Sequence, residues 1–418
     1  MVVFVFSSAQ ATLELHFGRA PQVLPSAHAA PVLPSAHSAL ALHSSFGPSI
    51  THTSRLISPT NAAANAAANI LANTATNAIT PEKITVQESD NLVNYGFPIM
   101  TTEAHVILPQ GESSQSLFYL AHSAIREVND LMSPRGELSD VYRFNQSAPG
   151  TWVKISPLTY QVIEECLKWH KLSGGVFDPT ISNLKKLFVF EGDTLVDWPD
   201  ESLLASARAG VGLENLEMSP TSLSIRRSNE ALTLDLGAAA KGFAVDRAIE
   251  ILIAQGVSSA LVEIGGEVRA LGQTPPPNPV PWSVKIEDGE TPEGDLVFEI
   301  INGAVATSGG KLRFFEYQGQ RYSHIFNPLT GLPLEEKGLK VTVAHPRSCL
   351  EADIMSTTLL VVGPLATKEL LESYAQQTEV TGLEVAMFYP DAEGRVLAHF
   401  FRVGENAQVN EVMAPLKP

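Results

Sequence analysis

Leu234-Asp235-Leu236-Gly237-Ala238-Ala239-Ala240-Lys241-Gly242-Phe243-Ala244-Val245-Asp246 reads as a strand that stops at a small-residue turn and opens directly into a helix. An acid, Asp235, stands before the turn, and Lys241 lies just inside the helix. Small residues let backbone approach a ligand, and a helix N-terminus offers unpaired N–H groups and a positive dipole end suited to phosphate. Taken alone the stretch has a second reading, a Gly/Ala-rich junction kept small for packing. It is not a P-loop, because no Gly-x4-Gly-Lys-Ser/Thr occurs and Lys241 is followed by Gly242.

Working outward, Val245, Ala248, Ile249 and Leu252 give this helix a buried face, and Gly256 ends it. Ala260–Ile264 is a predicted strand running into Gly265-Gly266, and further strands are expected at Trp282–Ile286 and Leu296–Ile300. Upstream, Ile84–Val86 and His105–Leu108 read as strands. Leu117, Leu120, Ala121, Ala124, Ile125, Val128 and Leu131 then form one apolar helical face. A turn-rich stretch is expected over Ser133–Asn145. A second helix starts at the cap-like Ser156-Pro157 and buries Leu158, Val162, Cys166 and Leu167. A third helix is expected over Asp200–Ala209, and several short strands over Leu213–Leu236. Helices and strands alternate without the period of a barrel or the order of a dinucleotide fold, so the class is α+β, with two lobes around a shared cleft as one arrangement.

The chain has 418 residues, 44% hydrophobic and 17% charged, enough to bury a sizeable core. Its formal net charge of −17 argues against a general nucleic-acid partner, because a phosphate backbone favours Lys and Arg. Two cysteines, Cys166 and Cys349, cannot build a zinc cluster by themselves, and the helical spacing of Cys166 marks it as core. No run approaches the roughly 18 apolar residues needed to span a bilayer.

Residues 1–80 read as a low-complexity, disordered segment and residues 81–418 as the folded domain, starting near Pro81. Val-Leu-Pro-Ser-Ala-His occurs at Val23–His28 and again at Val32–His37, and Asn61, Asn65, Asn69, Asn73 and Asn77 recur among alanines. Only Glu14, Arg19 and Arg55 carry charge before position 81. His28, His37, His43 and His52 fit a solvated linker better than a metal site. Val2–Phe6 is apolar but short, has no basic residue before it and no cysteine near it, so it supplies neither a clear export signal nor a lipid anchor.

Chemistry-bearing residues recur downstream. Gly303–Gly310 is small and hydroxylated, which suits either close ligand contact or a tightly packed strand and turn. His324 lies on an alternating strand within Tyr322–Gly331, where a single histidine is more often structural than catalytic. Glu351–Thr358 opens an apolar helix in which Asp353 and Thr357, four apart, share a face. A carboxylate with a hydroxyl or carbonyl oxygen is hard-ligand chemistry fit for Mg²⁺. The competing reading, favoured for the pair in isolation, is that Asp353 caps the helix and Thr357 bonds back to it.

Together these segments resemble, in order and wording, the FAD:protein FMN transferases, the ApbE family of flavin-transferring enzymes. The resemblance runs from about Phe97 into the C-terminal region. It rests on Ser173–Thr180 (Ser-Gly-Gly-Val-Phe-Asp-Pro-Thr), Leu234–Asp246, Val262–Gly272 (Val-Glu-Ile-Gly-Gly-Glu-Val-Arg-Ala-Leu-Gly), Ala304–Gly310 (Ala-Val-Ala-Thr-Ser-Gly-Gly), His324–Gly331 (His-Ile-Phe-Asn-Pro-Leu-Thr-Gly) and Glu351–Thr357 (Glu-Ala-Asp-Ile-Met-Ser-Thr).

The resemblance implies a T-fold-like architecture with mixed sheets and flanking helices around a central FAD cleft. It implies cleavage of the FAD pyrophosphate with Mg²⁺ and attachment of FMN, through a phosphoester, to a threonine of an acceptor flavoprotein, with release of AMP. Carried over, Ala238 (through its carbonyl), Asp353 and Thr357 hold the metal. Met100, Val176, Phe177, Asp178, Asp235, Lys241 and Ile325 line the FAD site, and His324 becomes a candidate base or orienting group for the acceptor hydroxyl. FAD pyrophosphatase activity and FAD binding without turnover are the alternatives.

The chain departs from the family pattern at Met100-Thr101-Thr102, where Met-Gly-Thr is common, and at Pro134-Arg135, where an aromatic residue usually meets the flavin. It departs again at Asn327-Pro328-Leu329 and at Ser308-Gly309-Gly310. By the same resemblance the expected compartment is the periplasm or the outer face of the inner membrane. Membrane association is expected only through the acceptor or an anchor that the sequence does not display.

Overall fold

A computed structural model of the chain describes residues 84–415 except 90, 192–193, 287–295, 310–313 and 392, and the backbone of two short strands, Val3–Phe6 and Gln22–Val23. The rest of residues 1–83 lies outside the described residues, and with it the linker reading of that segment and the boundary near Pro81.

The principal sheet has eleven strands in the spatial order Gln22–Val23, Thr85–Glu88, Leu92–Ile99, Thr102–Pro109, Ala260–Ile264, Glu267–Leu271, Ala304–Gly309, Lys340–His345, Glu384–Pro390, Val396–Val403 and Val409–Pro415. Each neighbouring pair is antiparallel. Both faces are buried at its centre, and the period-2 alternation of side chains divides them. Val106, Leu108, Val262, Ile264, Ala304, Ala306, Val341 and Val343 join one core. Their neighbours Ile107, Leu261, Val305 and Ala344 join the other. The helices Ser114–Met132, Ala240–Ala254 and Cys349–Val362 pack into the first core. The hairpin Trp282–Ile286/Leu296–Ile300 contributes Trp282, Val284, Phe298 and Ile300 to the second. Each large side chain so covered contributes roughly 1.5–3 kcal/mol of burial.

A second, five-stranded sheet runs Leu332–Glu335, Gln320–Asn327, Phe314–Tyr317, Thr194–Asp197, Val189–Glu191 and includes one parallel contact, Glu316 with Thr194. It has its own small core of Leu184, Phe188, Leu195, Leu204, Phe315 and Phe326. The architecture is α+β, with the parallel pairing confined to the smaller sheets.

Local signals explain the helix ends. Ser156 caps Pro157–Leu172 by accepting from Thr159 N–H, and Asp200 caps Glu201–Arg208 through Leu203 N–H. Gly256, at φ +80°, stands just beyond Ala240–Ala254.

Two expectations fail. The stretch Ser133–Asn145 is not all turn: Asp140–Gln146 is a helix, capped by Ser139 accepting from Tyr142 N–H. The residues Leu234–Leu236 are not a strand. Thr233 makes a single bridge to Ile181, and beyond it the Asn145 side chain replaces a neighbouring strand. Asn145 Oδ1 accepts from Leu234 N–H at 2.8 Å while its Nδ2 donates to Leu234 C=O at 2.9 Å.

Candidate active site

The turn Gly237–Ala239 and the helix Ala240–Ala254 meet the helix Cys349–Val362 at close quarters. Gly242 makes this approach: a β-carbon there would stand 2.4 Å from Cys349 C=O oxygen and 2.9 Å from Asp353 Cβ. The gap left by the missing side chain brings Gly242 N–H to Asp353 Oδ2 at 3.0 Å.

That bond completes the start of the helix. Ala239 is the N-cap, at a non-helical φ of −145°, so Gly242 N–H is one of the first four donors the helix leaves without a partner, and Asp353 supplies one. Among the described residues no backbone N–H donates to Ala238 oxygen, whereas Phe243 N–H does reach Ala239 C=O at 3.0 Å. Ala238 C=O, in the turn before the cap, thus keeps its acceptor capacity free of backbone donors among the described residues. Asp353 Oδ1 likewise accepts no hydrogen bond among the described residues, and the residue is 2% exposed.

Asp353 is not the helix cap. Ser348 takes that role, accepting from Glu351 N–H at 3.1 Å, so Asp353 sits inside the helix. Nor does Thr357 bond back along the helix. Thr358 does so, to Ile354 C=O at 2.7 Å, while Thr357 Oγ1 lies 3.1 Å from Ser308 Oγ. Ser308 Oγ also meets Ser356 Oγ at 2.8 Å, joining the hydroxylated strand Ala304–Gly309 to the helix. Gly310 lies outside the described residues.

Lys241 Nζ is 2.7 Å from Glu267 Oε1 and 3.6 Å from Asp353 Oδ2. Burial works against its charge, but Asp353 and Glu267 outweigh that and carry its pKa above the ordinary value. Burial raises the carboxyl of Asp353, with Lys241 and Gly242 N–H opposing. Burial also pushes Glu267 up to about 8 against the pull of Lys241, and Glu263 up to about 8 against a bond from Gly266 N–H. One oxygen of each glutamate, Glu263 Oε2 and Glu267 Oε2, is buried without a partner among the described residues. Two buried carboxyls, Glu267 and Asp353, therefore face one lysine, an excess of acid that favours bound protons or an added cation.

On the other side of the turn, Asp235 Oδ1 accepts from Gly237 N–H at 3.0 Å and Oδ2 pairs with Lys185 Nζ at 3.2 Å. Burial alone would raise the Asp235 pKa, but Lys185, the Gly237 N–H and His324 together bring it below the ordinary carboxylate value. The exposed His324 therefore shares a field with Asp235. Asp235 N–H donates to Pro179 C=O at 2.7 Å, which docks the loop Ser173–Thr180 against the same turn.

Within that loop Phe177 and Asp178 are buried, and Val176 is half-buried. Asp178 Oδ1 accepts from Thr180 N–H at 2.8 Å and Thr180 Oγ1 at 2.6 Å, and Oδ2 is 3.6 Å from His170 Nδ1. Its side chain is thus engaged inside the protein. Burial nonetheless raises its pKa against these bonds. A cleft of about 390 Å³ opens beside it, lined by His170, Gly175, Glu214, Arg208 and Leu329 among others.

Met100, Ala238 and Ile325 are half-buried against the main core. Met100 and Thr101 form the two-residue turn between the paired Ile99 and Thr102, both at positive φ, 49° and 63°. Arg135 is exposed, and its N–H donates to Ser133 Oγ.

The sequence motifs thus fall into two groups. Ala238, Lys241, Asp353 and Thr357 flank the contact between the two helices, and Asp235, His324 and the Ser173–Thr180 loop gather on the far side of the same turn. Sequence reading passed over Glu267, Asn145 and Lys185. Glu267 stood within a quoted motif, whereas Lys185 lies 50 residues from Asp235 with no local signal. Among the described residues no cluster of three or more His, Cys, Asp or Glu side chains is arranged to hold a metal ion, and no helix is long and apolar enough to cross a membrane.

The ApbE family model matches residues 100–381. A FAD:protein FMN transferase of Vibrio cholerae is 35% identical over 242 residues, 57% of this chain and 71% of the relative. A protein of the same name from Treponema pallidum is 30% identical over 303 residues, 66% of this chain and 80% of the relative. The solved structure of flavin transferase ApbE from Vibrio cholerae aligns with a TM-score of 0.62 at 28% identity, covering 77% of this chain and 97% of that one. The apo flavinyl transferase ApbE of Pseudomonas stutzeri aligns with a TM-score of 0.62 at 27% identity, covering 80% and 95%.

Proposed function

The chain belongs to the ApbE family, and from that premise we propose that it is an FAD:protein FMN transferase. Its donor is FAD and its acceptor a protein, with a threonine of a flavoprotein as the proposed attachment point. The acceptor oxygen bonds to the FMN phosphorus, the pyrophosphate P–O bond breaks, AMP leaves and the hydroxyl proton passes to a base.

The observation that carries the metal side of this reading is the Ala238 carbonyl, which lies before the N-cap Ala239 and accepts from no backbone N–H among the described residues. With Asp353 Oδ1 and the Thr357 hydroxyl it makes a set of hard oxygen donors poor in charge. Mg²⁺ takes such sets because it keeps waters and substrate phosphates as its remaining ligands. Bound there, Mg²⁺ would neutralise charge on the pyrophosphate. Lys241 places a second positive charge beside it, held in position by Glu267. His324, exposed near Asp235, is the proposed proton acceptor. Met100, Val176, Phe177, Asp178, Asp235, Lys241 and Ile325 are the proposed FAD contacts, Asp178 through its backbone.

The proposed compartment is the periplasm or the outer face of the inner membrane, by resemblance to the family, and cell fractionation tests it. Incubation with FAD, Mg²⁺ and a candidate acceptor, followed by weighing the acceptor, tests the reaction. A mass gain of one FMN is expected; FMN and AMP released without a gain would replace transfer by hydrolysis. Asp353→Ala should lower metal-dependent turnover by roughly 100-fold or more, the scale of losing a transition-state charge stabiliser. Full activity in that variant would remove the metal assignment.

A further inference from the structure

Asp246 closes the Leu234–Asp246 motif, yet it touches none of the groups assigned above to FAD, metal or acceptor. It is 6% exposed. Its carboxylate accepts five hydrogen bonds, four of them from the start of another helix. Oδ1 accepts from Cys349 N–H at 2.9 Å and from Arg269 Nη1 at 2.8 Å. Oδ2 accepts from Cys349 N–H and Leu350 N–H, both at 3.0 Å, and from Ser348 Oγ at 2.9 Å.

A helix leaves its first four N–H groups without partners inside the helix. In Cys349–Val362, whose cap is Ser348, two of the four are met locally, Ser348 N–H by His345 Nδ1 and Glu351 N–H by Ser348 Oγ. The other two, Cys349 and Leu350, are met by Asp246, from the helix Ala240–Ala254. Ser348 Oγ serves both ends, donating to Asp246 while accepting from Glu351. The preceding turn is held separately, with His345 Nδ1 accepting from Arg347 N–H and Ser348 N–H. Nothing else among the described residues fixes those two amides.

Asp246 and Gly242 are one helical turn apart, and so are Cys349 and Asp353. The helices are therefore tied at two successive levels, Asp246 to the amides of Cys349 and Leu350, and Gly242 N–H to Asp353 Oδ2. The first tie is anionic, sits at a positive helix end and is backed by Arg269, so it is the stronger of the two.

We infer that Asp246 is a positioning residue that sets the distance between the Ala238 carbonyl, in the turn that leads into one helix, and Asp353 with Thr357 on the other, and so tunes the affinity of the site for its divalent cation. The inference rests on the reading of these three residues as the metal ligands.

The test titrates Mn²⁺ into wild type and Asp246→Asn by calorimetry, without FAD, and follows amide hydrogen exchange at 349–353. The variant keeps the shape of the side chain but loses its charge and one acceptor. Mn²⁺ affinity should fall roughly 10-fold or more, the scale seen when an outer partner of a metal ligand is removed. Exchange at Cys349 and Leu350 should quicken. A purely structural role would lower the melting temperature with Mn²⁺ affinity unchanged, and that result would overturn the assignment. Should Asp246→Asn not fold, Arg269→Gln carries the test, because it removes the cation behind the carboxylate and spares the two amides and the Ser348 cap. A weaker Mn²⁺ affinity there supports the assignment, and an unchanged one overturns it. Wild type that binds no Mn²⁺ would overturn the metal reading itself, a result separable from a variant that merely matches wild type.

Discussion

Thr101 shows how a single residue can oppose its own backbone. The two-residue turn between Ile99 and Thr102 requires positive φ at both central positions, which Asn and Gly tolerate and a β-branched side chain does not. Left-handed backbone costs a non-glycine residue about 1–2 kcal/mol. Thr101→Gly should therefore raise stability by about 1 kcal/mol after the larger unfolded-state freedom of glycine is counted. The check is a higher urea midpoint with an unchanged slope; a lower midpoint would show that the Thr101 side chain contributes more than its strain costs.

Glu263 belongs to the same scale. Burial raises its folded pKa from the ordinary 4.5 to about 8, so the folded protein keeps a proton that the unfolded chain has lost across that window. Its contribution is fully present below about pH 4.5 and is lost as pH rises toward 8. Glu263→Gln removes the titration, so the melting temperature of wild type relative to the variant should fall steadily between pH 5 and pH 8. A constant difference across that range would show that Glu263 is ionised in the folded protein.

At the scale of elements, the decisive object is the contact between Ala240–Ala254 and Cys349–Val362. Each helix was legible from periodicity and end signals, and so was the exposure of turn backbone before the first. Their contact was not. Gly242 in a helix interior costs about 1 kcal/mol relative to alanine on propensity alone. Gly242→Ala should nevertheless destabilise, by about 1–3 kcal/mol, because the new methyl meets Cys349 backbone rather than a flexible side chain. Turnover should fall with it, since Asp353 must move. Thermal melting and a flavin-transfer assay read the two effects; a stabilised, fully active variant would mean that the helices separate freely.

Asn145 makes the same point about strands. The alternation before the turn suggested a strand at Leu234–Leu236, but both pairing groups of Leu234 go to one amide side chain 89 residues away and Asp235 N–H goes to Pro179 C=O. Alternation reports that a segment is extended and half-buried. It does not report whether the partner is a strand or a side chain.

For the molecule as a whole, an antiparallel sheet buried on both faces provides the frame, and strand alternation assigns its side chains to two cores. The residues proposed for the site lie where the helical face of this frame meets the loop Ser173–Thr180 and the strand carrying His324. A ligand that binds only the folded state stabilises it, by about 2.7 kcal/mol at a hundredfold excess over its dissociation constant. Mg²⁺ should therefore raise the melting temperature of wild type, EDTA should reverse the shift, and Asp353→Ala should show neither effect. An equal Mg²⁺ shift in the variant would place the cation elsewhere.

The sequence by itself determined the α+β class, most helix ends and the motifs that carry chemistry, because capping, periodicity and turn chemistry act within a few residues of one another. It also held the order of motifs that marks the family. Only the tertiary structure decided that Asp353 meets Gly242 N–H, that Lys185 pairs with Asp235 and that Asp246 completes a distant helix. These are contacts between segments 50 to 111 residues apart. The physical reason is that a hydrogen-bonding group seeks whichever partner the packed chain brings within about 3 Å, and packing joins segments that local spacing never relates.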